Sequence, residues 1–165
     1  WSSDVCSSDL SALAALVGIE APESMVASDL RARIDNTVRQ FQSQGIALEQ
    51  WLSITGQTGD QFVEAMREQS RLAVKVDLAL RAVVAAEVIE VSEDELDAQY
   101  ARIASQVGRT PSAVKRQYED NDAVTDLRAQ MAKSEAIDWL LHRVTFVDAA
   151  GTTLDNEHVL GHTHE

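Results

Sequence analysis

Residues 60–96 read DQFVEAMREQSRLAVKVDLALRAVVAAEVIEVSEDEL, and the spacing of their apolar positions decides the fold class. Phe62, Met66, Ala73, Val76, Leu80 and Val83 fall on one helical face, interrupted at Gln69. Leu72, Ala79 and Ala86 widen that stripe with small residues, which let a second helix approach closely. Asp60 is the expected N-cap. The predicted helix runs from about Gln61 to Ile89, roughly 43 Å at 1.5 Å per residue. Glu90-Val91 reads as a short extended link. Ser92-Glu93-Asp94-Glu95 then forms a capping box, in which the Ser92 hydroxyl and the Glu95 carboxylate satisfy free backbone donors reciprocally.

The same reading extends both ways. Downstream, Leu96, Tyr100, Ile103, Ala104 and Val107 repeat at helical spacing up to Gly108. Thr110-Pro111 starts another helix, with Val114 and Tyr118 on its apolar side. The acidic cluster Glu119 to Asp122 is expected to end it and to cap the last helix. Val124, Leu127, Met131, Ile137, Leu140, Leu141 and Val144 carry that last stripe. Upstream, Pro22 suits a first helical position and Glu23 suits the positive helix start. Met25, Val26, Leu30, Ile34, Val38 and Phe41 follow until Gly45. A short amphipathic piece comes next, with Ile46, Leu48, Trp51, Leu52 and Ile54, ending at Gly56. The prediction is an all-α body with two helical-hairpin tips, near Gly45 to Gly59 and near Gly108 to Asp122. Periodicity leaves open whether the hairpins pack together or project.

Composition agrees. Hydrophobic residues are 45% of the 165-residue chain, aromatics 5%, Gly 7 and Pro 2 in number, which disfavours a sandwich or barrel. Fourteen Lys and Arg against twenty-seven Asp and Glu leave a net charge of −13. A surface so acidic repels phosphate backbones and anionic membranes. No apolar run approaches the roughly 20 residues that span a bilayer. The one cysteine, Cys6, excludes an intramolecular disulfide and a zinc ribbon.

The ends read differently from the middle. The chain opens on Trp1, and residues 1–10, WSSDVCSSDL, have neither a basic nor an apolar signal region. They read as a non-native, adapter-like leader, with the natural protein continuing upstream. Residues 151–165 lose periodicity and carry His158, His162 and His164, the expectation being a disordered tail without a defined metal site.

Reactive constellations are not found. Ser134, Asp138 and His142 lie at steps of four on one helix, but a catalytic triad needs the imidazole between the other two. Glu93, Asp94, Glu95 and Asp97 lack the bend glycine and spacing of a calcium loop. Thr55-Gly56-Gln57-Thr58-Gly59 lacks the Gly-Lys-Ser/Thr ending of a phosphate loop. Neither a cofactor nor a metal is expected, and no enzyme activity.

Several segments carry a family resemblance by their order and spacing. They are Ala21-Pro22-Glu23-Ser24-Met25-Val26, then Gln44-Gly45-Ile46 with Leu48-Glu49-Gln50-Trp51-Leu52 and Thr55-Gly56. Arg67-Glu68 through Ala73, Val74 and Lys75 follows, then Ala86-Glu87-Val88-Ile89-Glu90-Val91-Ser92-Glu93-Asp94-Glu95-Leu96. Lys133 with Ala136-Ile137-Asp138-Trp139-Leu140-Leu141 closes the set. Together, over residues 11–150, they resemble the C-terminal domain of trigger factor, the bacterial ribosome-associated chaperone, in its actinobacterial form.

The resemblance implies an elongated multi-helix domain with helical-hairpin arms, of the trigger factor C-terminal or SurA-like peptide-binding kind. It implies a cytoplasmic, ATP-independent chaperone domain that binds exposed apolar segments of nascent or unfolded proteins. Ribosome docking and prolyl isomerisation would belong to domains of the parent without counterpart in these residues. The expected client-binding side chains are Phe41, Ile46, Leu48, Trp51, Leu52 and Phe62 at one tip, and Val107, Val114 and Tyr118 at the other. Short helices flanked by glycine cannot bury all of these within themselves. Trp51 is weighed evenly between clients and packing on Phe41 or Phe62, whereas Trp139 is expected to be structural. The rival readings are a helical-bundle adaptor for one folded partner and a periplasmic SurA-like chaperone.

Overall fold

A computed structural model describes residues 13–145 and Thr153. The fold is all-α. A helical turn at 13–15 precedes α1 (Glu23–Ser43), α2 (Leu48–Thr55), α3 (Gly59–Ala86), α4 (Glu93–Val107), α5 (Pro111–Asp120) and α6 (Val124–Leu141). The leader at 1–10 with Cys6, and the tail at 151–165 apart from exposed Thr153, lie outside the described residues. Two compact units divide the chain, Trp1–Ala79 and Leu80–Glu165, and the division falls inside α3.

Five helix ends share one device. A residue at or just past the C-cap turns left-handed, and the next amide donates back to a carbonyl five residues earlier. These bonds are Ile46 to Phe41, Gln57 to Leu52, Ile89 to Val84, Arg109 to Ala104 and Ala123 to Tyr118, all at 2.9–3.1 Å. Gly45, Gly56 and Gly108 occupy three of the left-handed positions, where absence of a Cβ removes the steric penalty. Val88 and Asp122 occupy the other two, with φ of 52° and 53°.

Helix starts follow local chemistry, with three differences from expectation. The Ser92–Glu95 capping box is present, and the Thr110 hydroxyl accepts from the Ala113 amide. A second reciprocal pair caps α3, not Asp60: the Gln61 amide donates to Thr58 Oγ1 at 3.2 Å, and the Thr58 amide donates to Gln61 Oε1 at 3.0 Å. That pair satisfies two donors where Asp60 would satisfy one. Pro22 is the N-cap of α1 and not its first helical residue. The acidic cluster does not cap α6, whose N-cap is Ala123 with no side-chain bond.

In the first unit, Ala14, Val26, Leu30, Phe62 and Val74 are buried. Arg67 of α3 reaches Glu23 at the start of α1, 2.6 Å away. The buried face of α3 runs through Phe62, Ser70, Val74 and Leu80, with Met66 half-buried. Ser70 and Val74 lie outside the expected stripe, and Leu72, expected to widen it, is exposed. From Phe62 to Val74 the inner positions step by four, in place of the mixed step of three and four that the apolar residues suggested, and beyond Val74 the buried positions are Ala79 and Leu80, both in the expected stripe.

The second unit has a continuous core. Leu96, Tyr100 and Ala104 recur every four residues on α4, and Val114 of α5 packs against them. Ile103, Tyr118, Val124, Leu127 and Met131 surround this set. Burying an aliphatic side chain of this size stabilises by about 1.5–3 kcal/mol. The Tyr100 hydroxyl is enclosed without a hydrogen-bond partner, which offsets about 1–3 kcal/mol of the gain from its ring. On α6 the enclosed positions are Ala132 and Ala136, while Ile137, Leu140 and Leu141 are half-buried and Val144 is exposed. Small residues four apart, not the large ones, form the inner line of this helix.

Candidate functional site

The first tip is assembled by the turn at Gly45. Its left-handed backbone carries the chain from α1 into α2, and Ile46 closes back on the Phe41 carbonyl. The Trp51 ring then sits between two phenylalanines. Its centroid is 5.5 Å from that of Phe41 at an interplanar angle of 31°, and 5.7 Å from that of Phe62 at 67°. Each such pair contributes about 0.5–1.5 kcal/mol beyond the area it buries. Of the two arrangements weighed for Trp51, self-packing is the one adopted, and it leaves the indole only half-buried. Phe41, Ile46, Leu48 and Leu52 are also half-buried, and α2 has no buried residue. Phe62, at 7% exposure, is interior and supports the surface from below.

Two side chains absent from the expected set are exposed at this tip. Ile54 is 76% exposed, and Val63 in the second turn of α3 is 37% exposed. Ile54 was legible as part of the apolar piece. Its exposure follows from its place in the last turn of α2, where Gly56 turns the chain away before anything covers it.

The second tip differs. After Gly108, the Thr110 cap starts α5, and α5 lies closely along α4. Val114, at 3% exposure, is part of the core and not of a surface. Tyr118 is half-buried, its ring 5.8 Å from Tyr100 at 53°. Lys115 Nζ lies 2.9 Å from Asp97 Oδ1 and 5.9 Å above the Tyr100 ring. Asp97 raises the Lys115 pKa by hydrogen bonding and by its charge, and burial raises that of Tyr100. Val107, at 57% exposure, is the candidate left outside.

A groove of about 570 Å³ lies between α4 and α6. Val91, Ala98, Leu127 and Met131 form its apolar lining, with Arg102 the cation against Glu95, Glu135 and Asp138. The Ser92 hydroxyl and then the Ser92 amide hold the Glu95 carboxyl below its ordinary pKa, so it remains an anion here. The residues weighed for catalysis do not form a relay: Ser134 Oγ donates to the Gln130 carbonyl at 3.2 Å, and His142 Nδ1 lies 2.7 Å from the Asp138 backbone carbonyl. Trp139 is half-buried beneath the Arg143 guanidinium, 4.0 Å from its centroid. Among the described residues, no helix is long and apolar enough to cross a membrane.

Comparison with known proteins bears on what such surfaces serve. Residues 7–142 match the family model of the bacterial trigger factor protein C-terminus. The chain is 28% identical over 152 residues to the trigger factor of Saccharopolyspora erythraea, covering 92% of this chain and 32% of that protein. It is 32% identical over 129 residues to the trigger factor of Bacillus cereus, covering 78% of this chain and 29% of that protein. The chain thus spans about a third of the length of the curated relatives it matches. A solved structure concerning the domains of trigger factor from Thermotoga maritima shares the fold, with a TM-score of 0.63 at 23% identity, over 82% of this chain and 78% of the other.

Proposed function

The chain belongs to the family of bacterial trigger factor C-termini, and on that premise we propose that it is an ATP-independent chaperone domain that holds exposed apolar segments of unfolded or nascent polypeptides. The observation carrying this reading is the uncovered apolar set of the first tip. Trp51 and Leu52 are half-buried and Ile54 is exposed on a short helix with no buried residue, and Val63 of α3 is exposed as well. Apolar side chains presented without a fixed cavity can re-pack against many partners. Binding is weak because a flexible client loses conformational freedom on docking. The charge of −13 keeps the chaperone itself dispersed. In this reading the domain works in the cytoplasm and catalyses no reaction. Ribosome docking and prolyl isomerisation belong to other parts of the parent protein.

The test is suppression of aggregation of a chemically denatured protein by the purified chain, without nucleotide. Protection is expected at stoichiometric excess and is expected to persist at raised salt, because apolar contacts are not screened. Replacing Leu52 and Ile54 together by Ser is expected to reduce protection at unchanged helix content. No protection, or protection lost at moderate salt, would overturn the reading and favour an adaptor for one folded partner.

A further inference from the structure

Two features meet at the non-helical link between α3 and α4, both within the second unit. At one end, Val88 has a φ of 52° and is the β-branched residue among the five left-handed helix-ending positions. Its branched Cβ crowds the following carbonyl, a penalty that glycine avoids. The turn is nevertheless closed by the Ile89 amide, which donates to the Val84 carbonyl at 3.0 Å. At the other end, Arg128 of α6 donates to the Val91 carbonyl at 2.6 Å and also bonds the Glu93 carboxylate. One guanidinium therefore ties the link down while its far end is strained.

The space around the link gives that arrangement a consequence. A hollow of about 430 Å³ is lined by Ile89, Val91, Ala129 and Ala132, with Glu90 and Arg128 beside them. Val91 also lines the α4–α6 groove. The same residue borders both spaces, so lifting the link joins them. Lifting also breaks the Arg128–Val91 bond, and the guanidinium, still paired with Glu93 on α4, then needs a carbonyl to replace that of Val91. An extended polypeptide offers carbonyls at regular spacing, and Ala129, Met131 and Ala132 offer its side chains an apolar floor.

We propose that residues 87–91 are a latched strap, held shut by Arg128, which opens about Val88 to admit an extended apolar segment of a client onto α6. The occupant rests on the chaperone reading above; the movement of the strap does not. Release of Val88 from the left-handed region offsets part of the cost of breaking the Arg128–Val91 bond. A client that takes Arg128 shifts the balance towards the open form.

Native-state hydrogen exchange on the whole chain tests each part. The Ile89 amide reports the strap, and the Tyr100 amide within α4 serves as the reference. Arg128→Met removes the latch and keeps an unbranched apolar stem. It is expected to speed Ile89 exchange at least tenfold while Tyr100 is unchanged; equal acceleration at both would make Arg128 a general support and overturn the proposal. Val88→Gly relieves the strain and is expected to slow Ile89 exchange about fivefold, net of the extra freedom glycine gives the open form. No slowing would overturn the strained hinge. Adding reduced, carboxymethylated lactalbumin, a permanently unfolded protein, is expected to speed Ile89 exchange in the unaltered chain. Client capture in the aggregation assay with an unmoved Ile89 rate would overturn the strap's role and leave the chaperone reading standing. Failure of capture itself would overturn the chaperone reading and with it the occupant, while the movement of the strap stands or falls with the Arg128→Met and Val88→Gly exchange rates.

Discussion

The two hairpin tips are built by the same rules and finish differently. Each follows a helix that ends on a left-handed glycine, passes through a short helix, and leaves into a longer one. The Gly108 tip closes: α5 lies along α4, Val114 enters the core beside Ala104, and the Tyr118 ring packs at a tilt against that of Tyr100. The Gly45 tip stays half open. There α2 has no buried residue, and its contacts centre on one indole held between two phenyl rings. What separates them is the match of small to large across a helix pair. Ala104 leaves room for Val114 and brings two backbones close, whereas Phe41, Trp51 and Phe62 are all large and meet by their ring faces and edges. Rings of that size keep their helices apart and leave apolar neighbours such as Ile54 uncovered.

The largest expected effect tests whether the closed tip is the more stable one. Leu96→Ala empties a fully enclosed position and should cost about 2–5 kcal/mol, read from denaturant unfolding with exchange at α4 amides as the local probe. Trp51→Ala removes a half-buried ring and should cost less, about 1–3 kcal/mol, with the loss confined to amides of α2 and the start of α3. An equal cost at both sites would erase the contrast between the tips.

Smaller effects sharpen it. Trp139→Ala should cost about 1 kcal/mol, because the indole is half-buried and covered on one face by Arg143, a contact worth about 0.5–1 kcal/mol at an exposed site. A loss as large as that of Leu96→Ala would mean that α6 is held by its large residues and not by Ala132 and Ala136. Tyr100→Phe should be neutral or stabilise by up to about 1 kcal/mol, since the buried hydroxyl has no partner to lose.

The last expectation concerns alkaline pH. The folded pKa values of Tyr100 and Lys115 are both raised above their ordinary values of 10.0 and 10.5. Each group holds its proton more tightly folded than unfolded. Their contribution is therefore complete below about pH 10 and is lost as pH rises through the raised values. Unfolding curves collected from pH 8 upward should show the decline, and Tyr100→Phe should remove the tyrosine share. A stability that is flat to high alkaline pH would contradict the placement of both groups.

Much of this was legible in the residues alone. The helices, their approximate bounds, the glycine ends, the Ser92–Glu95 box and the Thr110 cap follow from local rules, because turn and cap chemistry act over a few residues of chain. The segments carrying the family resemblance were legible for a related reason, since most of them include those turns and caps. The candidate set at the first tip was partly legible: composition marked the apolar piece, but could not rank Ile54 above Phe62 in exposure.

Sequence by itself thus determined the all-α class, the order of the helices and the location of the two tips, since periodicity and punctuation are properties of short stretches. Tertiary structure alone decided which face of each helix points inward. Ser70 is fully enclosed and Leu72 is exposed on the same helix, and Ala132 and Ala136 lie inside while Val144 does not. It decided too that Val114 is core and that Trp51 is held by its own tip. The physical reason is common to all of these: burial depends on how closely another helix can approach, and that is set by the sizes of residues distant in the chain.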